Sequence, residues 1–200
     1  MEQFAYMGAI YMEGIFQNPH VTVGLLNNGA EAHKGPPVYV ETYRLLKNSS
    51  LNFVGNIEGK EIPRGRCDVL VADGFAGNIV LKLVEGMSRF ALKKVKGLFF
   101  SSLATKMSAV LFKKQFVSLK KELDASEYGG APFLGISKPV IKAHGSSDAR
   151  AVKNAVRQAK AYLESGISDR IAECAALWVK AAPGDGEAGA PTPDAAKEEH

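Results

Sequence analysis

Three polar, glycine-rich stretches hold the side chains best suited to chemistry. The first is Asn27-Asn28-Gly29-Ala30-Glu31, running on to His33-Lys34-Gly35. The second is Asp73-Gly74-Phe75-Ala76-Gly77-Asn78, followed by Lys82, and the third is Lys142-Ala143-His144-Gly145-Ser146-Ser147-Asp148. Each closes a short apolar run and opens a helical pattern. Glycine lets the backbone turn sharply and approach a ligand closely. The helix that follows offers unpaired N–H groups and the positive end of its dipole, which suits phosphate. Taken singly, each stretch has a structural reading as well: Asn78 and Ser147 as N-caps, Asp148 as a first-turn carboxylate, His144 as a satisfied structural histidine. Three such loops on one sheet edge favour a site.

Several chemistries lack support. Neither G-x-G-x-x-G nor the P-loop pattern is present, nor is G-x-S-x-G or a spaced carboxylate pair. Cys67 and Cys174 are far apart and fit no metal spacing, and the four histidines are scattered, so no metal is expected. Two unpaired thiols suit a reducing, cytoplasmic setting. There is no signal-peptide pattern at the N-terminus and no apolar run long enough to span a bilayer.

Charge is uneven. Between Gly86 and Lys121 there are Arg89 and eight lysines with no acid, while the whole chain is only +4, so the remainder is net negative. In residues 95–123 those lysines interleave with Leu98, Phe99, Phe100, Leu103, Met107, Val110, Leu111, Phe112, Phe116 and Leu119. A helical hairpin packed in a dimer and a helix seated on an anionic membrane both fit this pattern. Nucleic acid ranks third, for want of arginine or a recognised motif.

The elements that must position these loops follow from periodicity. Phe4, Gly8, Tyr11 and Ile15 mark one face of a helix over 2–16. VTVGLLN (21–27), LNFVGNIEG (51–59), CDVLVAD (67–73) and PVIKA (139–143) read as strands. Pro36 and Pro37 open a helix whose stripe is Val38, Tyr39, Thr42, Leu45 and Leu46. Helical spacing resumes at Ile79, Leu83, Met87 and Phe90, and again over about 148–164 and 167–180, with a glycine-rich loop at 126–139. Apolar strands alternating with amphipathic helices predict an α/β fold with a mainly parallel sheet covered on both faces. Ligands bind such sheets beyond the C-terminal strand ends. Residues 181–200, rich in Pro, Gly, Ala and acids, have nothing to bury and are expected to be disordered.

VGLLNNGAEAHKG, DGFAGNIVLKLVEG and SEYGGAPFLGISKPVIKAHGSSDA, in this order and spacing, resemble the bacterial acyl-ACP:phosphate acyltransferases, the PlsX type of acyl-phosphate synthase. The resemblance runs from about residue 3 to about 175. It implies a Rossmann-like three-layer α/β/α domain over 1–180 with a protruding basic, apolar helical hairpin at about 93–123. It also implies a homodimer touching the cytoplasmic membrane peripherally, and transfer of a fatty acyl group from acyl carrier protein to inorganic phosphate, with no cofactor. Phosphate is then the nucleophile, which accounts for the lack of one in the chain.

By resemblance, phosphate lies against the Asp73–Asn78 loop (Gly74, Gly77, Asn78) and the His144–Ser147 loop (Gly145, Ser146, Ser147). Asp73, Lys82 as charge partner and His144 as donor or acid/base are the candidate catalytic residues. Asn27, Glu31 and Lys34 shape the cleft. Membrane contact falls on Leu103, Met107, Val110, Leu111 and Phe112. The alternative is a non-catalytic truncated fragment that binds membranes or a partner. Two departures stand out. Ala30 replaces a usual acid, and Met1 falls near the middle of the family's text, so part of the sheet and cleft is expected to be missing.

Overall fold

The computed structural model describes residues 1–99, 107, 111–123, 129–145 and 147–181. Its centre is a parallel three-stranded sheet in the order β2-β1-β3, with β1 at Thr22–Asn27, β2 at Asn52–Glu58 and β3 at Val69–Val71. β1 is paired on both edges and buried from Val23 onward, its side chains packing in a core shared with the helices, which is why it reads as an apolar run. β2 carries a bulge. Val23 pairs with Phe53 but Gly24 pairs with Gly55, so Val54 is extra, and Gly55 takes φ 97°, a conformation that residues with a Cβ rarely adopt.

Helix α1 (Glu2–Phe16) presents small residues to the sheet. Ala5 and Ala9 are buried, and a Cβ on Gly8 would stand 2.7 Å from Val69 Cγ1. Helix α2 (Pro37–Lys47) starts at its proline, as expected, and buries Tyr39, Thr42 and Leu46. Residues from α1, α2, β1 and β3 form one core, whose Val23, Leu25 and Leu46 are fully enclosed. Each such side chain contributes about 1.5–3 kcal/mol relative to exposure.

Expectation and structure part in three places. Phe4 is largely exposed; the second apolar face of α1 is Met7, Ile10, Tyr11 and Ile15. That face packs on Tyr162, Ile167 and Ile171, which belong to α5 (Ala149–Glu164) and α6 (Ile167–Ala181). Gln158 donates to the Tyr11 hydroxyl at 2.7 Å and Arg170 to Glu13 at 2.5 Å, so α1 is held on both sides. Secondly, the 126–139 stretch contains a strand, β4 (Ala131–Phe133). β5 (Val140–Lys142) pairs with it antiparallel in a separate ribbon instead of extending the parallel sheet. Thirdly, the helix after β3 starts at Gly74: α3 runs Gly74–Phe99 and buries no residue.

α4 (Lys113–Glu122) returns toward α3, with the Phe99 ring centroid 6.1 Å from Phe112 and 6.4 Å from Phe116. Most of the intervening segment lies outside the described residues, as does 182–200. The α/β class with a parallel, Rossmann-like sheet is therefore what the chain folds into. Among the described residues no helix is long and apolar enough to cross a membrane.

Candidate functional site

The C-terminal edge of the parallel sheet brings two of the three loops together. Asn27 ends β1 opposite Glu58 of β2, and Leu25 pairs with Val71, so Asp73 leaves β3 at the level of Asn27. The loop from 28 to 35 is fastened from below by two buried asparagines. Asn27 Nδ2 donates to the Lys34 carbonyl at 3.0 Å, and its Oδ1 accepts from Asn28 N–H at 2.8 Å. Asn56 Nδ2, on the neighbouring strand, donates to the Glu31 carbonyl at 2.8 Å. Asn56 is 7% exposed, and its Oδ1 is buried with no partner among the described residues.

Glu31 and Lys34 fold over Gly29, where an added Cβ would sit 2.8 Å from Glu31 Oε2 and 2.9 Å from Lys34 Cγ. Gly35 closes the loop at φ 88°. A Cβ there would meet Asn27 Oδ1 at 2.8 Å and Tyr39 Cβ at 3.1 Å, so glycine is required on both counts.

The β3–α3 turn is organised by Asp73. Its Oδ1 accepts from Phe75 N–H at 2.7 Å and Ala76 N–H at 2.9 Å, making Asp73 the N-cap of α3. Its carbonyl takes Gly77 N–H at 2.9 Å. The other carboxylate oxygen receives the Tyr39 hydroxyl, which in turn accepts Asp73 N–H at 3.3 Å. The Tyr39 hydrogen bond, followed by that from Ala76, holds the Asp73 carboxyl below its ordinary range. Burial, and then the facing carboxylate, push the Tyr39 hydroxyl up.

Asn78 is thus inside α3 and is not its cap. The Phe75 and Ala76 amides, which a phosphate at this turn would use, are already satisfied by Asp73. Gly74 and Asn78 are exposed at the turn, and Gly77 is half-buried. Lys82 is exposed two turns along the helix.

The third loop stands on the other ribbon, between β5 and α5, rather than on the edge of the parallel sheet. His144 and Gly145 are exposed, and the His144 carbonyl accepts from Ser147 N–H at 2.9 Å. The cap of α5 is Asp148, whose Oδ1 accepts from Ala151 N–H at 2.8 Å, and not Ser147. Ser146 lies outside the described residues. So do Leu103 and Val110; of the other membrane-contact candidates, Met107 and Leu111 are 76% and 79% exposed, and Phe112 is half-exposed.

Two residues escaped sequence reasoning. Tyr39 reads as one member of a helix stripe, and Asn56 as an interior position of the strand expected over 51–59. The signal was a hydroxyl-bearing or amide side chain at a position whose neighbours in the pattern are core. An open depression lined by Glu13, Gln17, Asn18 and Pro19 lies at the end of α1, on the side where β1 begins, away from these loops.

Comparison with known proteins shows which family the chain is similar to. The profile of the family described as "Fatty acid synthesis protein" matches residues 1–170. A phosphate acyltransferase of Shouchella clausii is 46% identical over 171 residues, covering 86% of this chain and 52% of that protein. The phosphate acyltransferase of Clostridium novyi is 48% identical over 169 residues, 84% of this chain and 51% of its own length. That of Brevibacillus brevis is 46% identical over 169 residues, covering 84% and 50%. The chain spans about half the length of the curated relatives it matches. With the profile matched over most of its length and its loop motifs pointing the same way, the chain belongs to the fatty acid synthesis protein family.

Proposed function

We propose that this chain forms part of an acyl-ACP:phosphate acyltransferase, moving a fatty acyl group from the carrier's thioester to inorganic phosphate in phospholipid synthesis. The match of residues 1–170 to the family, with relatives named phosphate acyltransferase, carries the reading. Convergence of the 28–35 loop and the β3–α3 turn at the C-terminal sheet edge supports it.

A phosphate oxygen attacks the thioester carbonyl carbon, the tetrahedral oxyanion collapses, and the C–S bond breaks. The departing thiolate takes up a proton, an easy step because a thiol pKa is about 8.5. The protein's work is to hold the anion, stabilise the oxyanion and manage that proton. Gly74, Gly77 and Asn78, with Gly145, Ser146 and Ser147, are the proposed phosphate contacts. Lys82 supplies charge, His144 acts as donor or acid/base, and Asn27, Glu31 and Lys34 shape the cleft. Asp73, with both oxygens engaged, serves by positioning the turn. The lysine-rich, apolar segment, whose Met107 and Leu111 are exposed, fits contact with an anionic membrane surface by a peripheral homodimer at the cytoplasmic membrane.

The test is phosphate-dependent thiol release from acyl-ACP by the 200-residue chain, alone and supplemented with the remaining half of a relative. Turnover that saturates in phosphate is expected from the supplemented protein and falls by about a hundred-fold or more in His144→Ala, typical of a lost acid/base group. Thiol release that ignores phosphate, or none from the folded, supplemented protein, refutes the reading.

A further inference from the structure

Tyr39 links the two converging loops. It sits in the first turn of α2, directly after the 28–35 loop, and is 6% exposed. Its Cβ lies 3.1 Å from where a Cβ on Gly35 would stand, and its hydroxyl crosses to the β3–α3 turn. There it donates to one Asp73 oxygen and accepts Asp73 N–H, while the other Asp73 oxygen holds Phe75 and Ala76 N–H. One hydroxyl therefore orients one carboxylate, and that carboxylate orients the first turn of a helix. Phenylalanine would fill the same volume, so packing alone does not call for the hydroxyl.

The geometry points to Tyr39 as a positioning residue for anion binding at the β3–α3 turn. It keeps the Asp73 carboxylate in the cap, with donors on both oxygens, so that Gly74, Gly77 and Asn78 are presented in one fixed arrangement. This rests on the reading that phosphate binds there. A carboxylate released from Tyr39 would sweep negative charge through the space the phosphate needs, and the first turn of α3 that it caps would lose its fixed arrangement.

The test uses the 200-residue chain as wild type, Tyr39→Phe, Asp73→Ala and the double variant. Amide NMR follows titration with inorganic phosphate, and hydrogen exchange is read at Phe75 and Ala76. Tyr39→Phe is expected to keep cooperative unfolding, to speed exchange at those two amides, and to weaken apparent phosphate affinity. Each effect should be about ten-fold, the scale of one hydrogen bond to a charged group. In the Asp73→Ala background the same substitution should change neither quantity further, because Tyr39 acts through Asp73. Unchanged exchange in Tyr39→Phe, or effects that simply add in the double variant, overturns the proposal. If neither the wild-type chain nor the chain supplemented with the remaining half of a relative shows a phosphate response, the phosphate reading fails by itself. Faster exchange without any phosphate effect would reduce Tyr39 to a support for the cap and would also overturn the proposal. Where turnover is measurable, the loss should fall on the KM for phosphate rather than on kcat.

Discussion

The two buried asparagines beneath the 28–35 loop allow a sharp comparison, since they differ in how fully they are satisfied. Asn27→Ala removes two hydrogen bonds, leaving the Lys34 carbonyl and Asn28 N–H without their partners. At about 1 kcal/mol each, that loss costs about 2 kcal/mol. Asn56→Ala removes one bond, to the Glu31 carbonyl, but also deletes a buried oxygen that has no partner. An orphaned buried acceptor costs about 1–3 kcal/mol, so the two changes at Asn56 roughly offset each other. Both substitutions delete the same atoms from buried sites, so transfer and cavity terms cancel to first order in the difference. Asn27→Ala should therefore be less stable than Asn56→Ala by about 2 kcal/mol. With an m value of about 2 kcal/mol/M, their urea midpoints should lie about 1 M apart. Equilibrium urea unfolding followed by circular dichroism measures this directly. Equal midpoints, or a lower midpoint for Asn56→Ala, would refute the assignment of Asn27 as the main fastener of the loop.

Asp73 titrates below its ordinary value because Tyr39 and Ala76 donate to its charged form. Its folded pKa is thus lower than its unfolded one, and the stability it adds is present above the unfolded value and lost as pH falls through the folded one. The gap in stability between wild type and Asp73→Asn should be flat from pH 7 down to about 5 and shrink as pH falls below the ordinary carboxylate pKa of about 4; a gap that does not shrink at all on acidification would contradict the pairing. Gly35→Ala, which combines φ 88° with contacts of 2.8 and 3.1 Å, should lower stability by about 1–3 kcal/mol. Gly59→Ala, with nothing within 4 Å, should stay within about 0.5 kcal/mol by thermal unfolding. Met107→Glu with Leu111→Glu should weaken binding to anionic vesicles by about ten-fold or more in sedimentation, since apolar contact is lost and charge repulsion is added. Unaltered binding would return the basic segment to a role in subunit packing.

Much of this protein is legible locally. β1 reads as an apolar run because it is buried in the core, and α2 begins at a proline because the first turn needs no N–H there. α5 follows its own periodicity, burying Ala151, Ala155 and Tyr162. The loop motifs, with their glycines, carry the family resemblance because close backbone approach leaves few residue types acceptable. What periodicity could not supply was partnership across the fold. Short strands such as Val140–Lys142 carry no record of which edge they will join, and β5 joined β4. Caps compete between neighbours in the chain, and Asp73 and Asp148 prevailed over Asn78 and Ser147 through the backbone amides they reach. Tyr39 and Asn56 gained their roles from groups 34 and 25 residues away, at positions that burial pattern alone marks as core. The sequence by itself determined the elements and the loops between them. Only the tertiary structure decided which polar groups meet, because a buried hydrogen bond depends on distance in space and periodicity reports only distance along the chain.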